Sequence, residues 1–62
     1  MKKWAANLLV VMKQNGITQR ELAEKLGVTY QYVSMVFNNK INIKTAEQRF
    51  TKAVDEIIAA NK

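Results

Sequence analysis

Apolar side chains return along this chain at helical intervals in four stretches, separated by short polar breaks, and neither flank of the Asn15-Gly16 break alternates like a strand. Trp4, Leu8, Val11 and Met12 stand at i, i+4, i+7 and i+8 and predict the inward stripe of a first helix over about 2–14. Asn15 and Gly16 end it. Gly16 enters the left-handed region at little cost, and Ile17 beyond it can fold back on the last turn.

Thr18 to Glu21 has the spacing of a capping box, in which the two side chains satisfy free amides at the start of a second helix over about 18–26. Ile17 and Leu22 occupy its hydrophobic-staple positions, and Gly27 supplies the left-handed turn at its end. Thr29 caps a third helix over about 29–37, with Val28 and Val33 as the staple and Val33, Val36 and Phe37 as the buried side. Asn38 to Lys44 reads as a loop anchored inward by Ile41 and Ile43. Thr45 and Gln48 repeat the capping-box spacing, and Ala46, Phe50, Ala53, Val54, Ile57 and Ile58 carry a fourth helix to about residue 60. Lys52 and Glu56 add an i,i+4 pair.

The second and third helices are short and joined by a tight turn, which makes them cross steeply as a helix-turn-helix. Leu22, Ala23, Leu26, Val28, Val33 and Val36 fall on its inward positions. Ala23 matters because a larger side chain would separate the helices at their approach, and Gly27 because a β-carbon disfavours left-handed angles.

Composition narrows what such a unit does. With 62 residues the chain has room for one domain, 1–62, and no cysteine is present to staple it. It lacks His and Cys, and its five acidic residues show no paired spacing, which argues against an enzyme, a metal site or a cofactor. The net charge of +5 favours a polyanionic partner. No acidic residue occurs between Lys25 and Ala46, a segment that carries Lys25, Lys40 and Lys44, so the third helix and its loop suit phosphate. Asn7 and the short apolar run Leu8 to Met12 fit neither a signal peptide nor a membrane span, and the expectation is a soluble cytoplasmic protein that engages no membrane.

The stretch T-Q-R-E-L-A-E-K-L-G-V-T-Y-Q-Y-V-S-M-V-F-N-N, Thr18 to Asn39, resembles the phage-repressor-like helix-turn-helix family, the XRE or Cro/repressor type. The resemblance covers about Leu8 to Phe50 and is most specific from Thr18 to Asn38. It implies an all-α, compact lambda-repressor-like domain of four helices, or five if the last segment breaks. It also implies a sequence-specific regulator, a repressor from a phage or mobile element, that binds a palindromic operator in double-stranded DNA as a homodimer and takes no small-molecule substrate.

Carried over by position, the resemblance makes Gln19 a phosphate contact that also braces the third helix, and Asn38 and Lys40 phosphate contacts after that helix. Thr29 and Lys44 join them on the phosphate side. Tyr30, Gln31, Ser34 and Met35 occupy the positions that reach base edges. Side-chain chemistry supports this independently, because Gln31 can bond adenine N6 and N7 together and Tyr30 or Met35 can touch a thymine methyl.

The rival reading is a protein-interaction module, antitoxin-like or inhibitory, that reuses the same surface. Several residues stay open between packing and function. Tyr32 reads equally as an aromatic reader or as packing, Ile57 and Ile58 equally as core or dimer surface, and Leu9 and Val10 as a wide core contact in preference to a partner surface. The chain also departs from its family. Met12 and Phe37 stand where many members have an ion pair, Asn39 where Gly is frequent, and Thr45 to Ala60 has no Gly or Pro to divide it.

Overall fold

The computed structural model describes residues 1–61. Among them the chain forms four helices, α1 (Lys3–Gln14), α2 (Gln19–Leu26), α3 (Tyr30–Phe37) and α4 (Ala46–Ala60), and no strand. The all-α expectation holds, and the last segment is one unbroken helix of 15 residues.

One device closes the first three helices. Gly16, Gly27 and Asn39 have φ of 68°, 73° and 58°. Behind each, the next residue's N–H reaches back five positions: Ile17 donates to the Met12 carbonyl at 2.8 Å, Val28 to Ala23 at 3.0 Å and Lys40 to Met35 at 2.8 Å. These are Schellman bonds, which satisfy carbonyls that have no partner within the helix. A β-carbon built on Gly16 or Gly27 would meet nothing within 4 Å, so the demand for glycine there is conformational and not steric.

At the helix starts, the Glu21 N–H donates to Thr18 Oγ1 and the Tyr32 N–H to Thr29 Oγ1, each at 3.0 Å. The second half of the Thr18 box, a return bond from the Glu21 carboxylate, is not made among the described residues. Thr45 departs further from expectation and caps nothing with its side chain. Its backbone lies at φ −93°, ψ 1°, whereas Thr18 and Thr29 are extended at ψ 160° and 155°. A turn, closed by Ala46 N–H to the Ile43 carbonyl at 3.1 Å, leads the chain into α4.

The core lies where α2 packs on both α3 and α4 while α1 covers α4. Met12, Leu22, Val33, Phe37, Phe50 and Val54 are its largest fully buried side chains. Phe50 sits at the centre of an aromatic cluster, with ring centroids 5.4 Å from Phe37, 5.9 Å from Trp4 and 6.5 Å from Tyr32. The pairs with Trp4 and Phe37 are edge-to-face, an arrangement that stabilises beyond its area, and the pair with Tyr32 is tilted. Tyr32 is thereby resolved as packing. Met12 and Phe37, the positions of the missing ion pair, both lie in this dry interior, so apolar contact replaces the charges.

Three sequence expectations change. On α1 the buried line is Ala5, Leu8 and Met12, with Trp4, Leu9 and Val11 half-buried beside it. Val10 is 56% exposed and belongs to no core, because it sits on the far side of α1 from that line. Ile57 is buried and Ile58 packs against the core, which removes most of the apolar surface they offered to a partner. Glu56 pairs across helices with Lys25, at 3.8 Å, and not along α4 with Lys52.

Candidate nucleic-acid interface

α3 is eight residues long, and its Val33, Val36 and Phe37 are buried. Helical spacing then turns Tyr30, Gln31 and Met35 outward. Tyr30 is 49% and Met35 41% exposed, Gln31 is exposed, and Ser34 is half-buried at the margin. Thr29 stands exposed at the N-terminal end, its oxygen accepting the Tyr32 amide while its O–H proton stays free to donate. What holds this face outward is the burial beneath it, where α3 packs on α2.

The first turn of α2 meets the first turn of α3. Thr18, Gln19, Arg20 and Tyr30 line one shallow cleft there. Gln19 is half-buried, and its Oε1 is enclosed without a hydrogen-bond partner. With Oε1 turned inward, the amide nitrogen is the group of Gln19 that can donate to a phosphate.

At the other end of α3, Asn38 Nδ2 donates to the Ser34 carbonyl at 2.8 Å and to Ser34 Oγ at 3.2 Å. Its side-chain donors thus close α3, and its Oδ1 remains available. The following loop is pinned by Ile41 and Ile43, which pack against the core, and before and after them Lys40 and Lys44 are exposed. Lys2 Nζ donates to Asn42 Oδ1, so the start of α1 delivers a further cation to the same loop.

A helix-turn-helix family model matches residues 10–47, more than half of the chain. The chain belongs to the helix-turn-helix family. Its type is that of XRE and phage repressors, so it is a DNA-binding regulator. No curated protein and no solved structure matches it.

Within this helix-turn-helix protein, the residues expected at the DNA divide into groups by geometry. Gln19 and Tyr30 share the α2–α3 cleft, Ser34 and Asn38 are bonded to each other, and Lys40 and Lys44 share a loop. Lys25 leaves the set. Its ammonium pairs with Glu56 of α4, so its charge is turned toward the α2–α4 seam and partly neutralised. Two residues of the surface were missed in the sequence. Arg20, exposed in the cleft beside Tyr30, follows Gln19 in the first helical turn and could have been found from that neighbour. Lys2, whose phosphate role the sequence sets aside in favour of a terminal lysine that serves solubility, comes to the surface through a contact 40 residues away.

Among the described residues no helix is long and apolar enough to cross a membrane.

Proposed function

We propose that this protein is a sequence-specific transcriptional repressor that inserts α3 into the major groove of an operator. Tyr30, Gln31, Ser34 and Met35 touch base edges, Gln19, Thr29, Lys40 and Lys44 hold phosphates on either side, and Asn38 joins them by turning its Nδ2 from Ser34 to a phosphate oxygen. One observation carries this reading: α3 turns a hydrogen-bonding and methyl-contacting face to solvent within a segment that has no carboxylate from Lys25 to Ala46. Gln31 reads adenine through its N6 and N7 edge, and Tyr30 or Met35 a thymine methyl.

Two copies bind a palindromic operator in the cytoplasm, their α3 helices one duplex turn apart, roughly 34 Å. Repression follows from occupancy, in competition with polymerase. Arg20 and Lys2 add phosphate contacts at the two margins of the reading face.

Selection of bound sequences from a random duplex pool, followed by anisotropy at several salt concentrations, tests the proposal. An enriched palindrome is expected, with affinity falling linearly in log salt. Recovery of no motif, with DNA binding absent or independent of sequence, would overturn it in favour of a protein-binding module.

A further inference from the structure

The side of the molecule formed by α2 and α4 carries a charge pattern that DNA binding does not use. Two shallow grooves lie end to end along the α2–α4 seam and share Lys25 and Glu56. The first is acidic: Glu21, Glu24 and Glu56 surround a floor of Ile57 and Ala60. The second is basic: Arg49, Lys52 and Lys25 surround a floor of Leu26 and Ala53. The Lys25–Glu56 ion pair, 3.8 Å long, marks the boundary.

Two of the chain's five carboxylates, Glu21 and Glu24, thus lie in one half of the seam alone and a third, Glu56, stands at the boundary, although the net charge is +5. The macrodipole of α4 does not account for this. A helix favours acids at its start and bases at its end, and although α4 has Glu47 in its first turn, it places Arg49 and Lys52 soon after and Asp55 and Glu56 in its second half, with no base in its last turn. The arrangement is instead self-complementary. Rotating a second copy by half a turn about an axis through the Lys25–Glu56 pair sets the acidic groove of each copy against the basic groove of the other.

We propose that the α2–α4 seam is the interface between two copies of this chain, an isologous contact held mainly by these paired opposite charges. It rests on the dimeric reading above and gives that dimer its surface. No residue of α3 lines either groove, so the reading face of each copy stays open. The flanking charges are exposed and the floors are shallow, which makes the association weak and sensitive to salt.

Charge exchange tests this without DNA. One variant carries Glu21→Lys and Glu24→Lys, which makes both halves basic; the other carries Arg49→Glu and Lys52→Glu, which makes both acidic. Thr18 accepts from the backbone N–H of residue 21, so its cap survives the first exchange. The parent chain is expected to sediment as a monomer–dimer equilibrium at low salt and to shift to monomer as salt rises. Each variant, shown to be helical by circular dichroism, should dimerise more than about tenfold more weakly than the parent, because like charges then face each other. Mixed in equal amounts, the two should form a heterodimer visible by native mass spectrometry.

A parent that stays monomeric at every salt concentration overturns the interface, and so does a mixture of two folded variants that forms no heterodimer. If each variant dimerises as tightly as the parent, the contact lies elsewhere and the operator reading is untouched. Failure of the pool selection removes the operator reading and leaves the interface intact.

Discussion

Asn38 bonds back to Ser34 through both the carbonyl and the hydroxyl, at 2.8 and 3.2 Å, so the residue that ends α3 also fixes a side chain at the edge of its outward face. Replacing Asn38 with Asp removes the donor and puts a carboxylate into a segment that has none. Stability should fall by about 0.5–1.5 kcal/mol. DNA affinity should fall on all sequences alike, as measured by a denaturant melt beside anisotropy on selected and unrelated duplexes.

Base reading and phosphate holding separate in a pair of truncations. Gln31→Ala should cost roughly 1–3 kcal/mol on the selected operator and relax one base position. Lys40→Ala should weaken every duplex and reduce the slope of log affinity against log salt by about 1. Identical behaviour of the two variants would contradict their assignment to different parts of the DNA.

The scaffold makes a steric demand at one position and a conformational one at another. Ala23 is a small buried side chain of α2, and Ala23→Leu should destabilise by about 1–3 kcal/mol through overpacking. Gly27 has open space around it but a φ of 73°, so Gly27→Ala should cost about 1–2 kcal/mol from backbone angle alone. A thermal melt of either variant matching the parent would refute the corresponding cause.

What could be read from the sequence was what the chain decides over short distances. Gly27 and the Thr18 and Thr29 caps act within one helical turn, and the outward set Tyr30, Gln31 and Met35 follows from which of their neighbours are apolar. Contacts made across the fold left no local trace. Glu56 had Lys52 one turn away as a partner and found Lys25 on another helix instead, which turned a cation expected near DNA toward the back of the molecule. Tyr32 stood open until Phe50 came against it. Val10, apolar among apolar neighbours, is exposed because the stripe of α1 runs through Ala5, a residue too small to announce itself as core.

Thr45 shows where a local pattern misleads, and its comparison with Thr29 is a test. Both threonines precede a helix, and Thr45 has the better box spacing, with Gln48 three residues on. Only Thr29 has the extended backbone that brings its hydroxyl to a first-turn amide. Thr29→Ala should therefore cost about 1 kcal/mol, the usual loss of an N-cap. Thr45→Ala removes no cap bond and should change stability by less than about 0.5 kcal/mol, as exposed sites without special contacts do. Chemical denaturation of both variants decides between backbone geometry and sequence spacing as the cause of capping here. Equal losses would mean that Thr45 adopts the extended form in solution and that α4 begins as its sequence suggests.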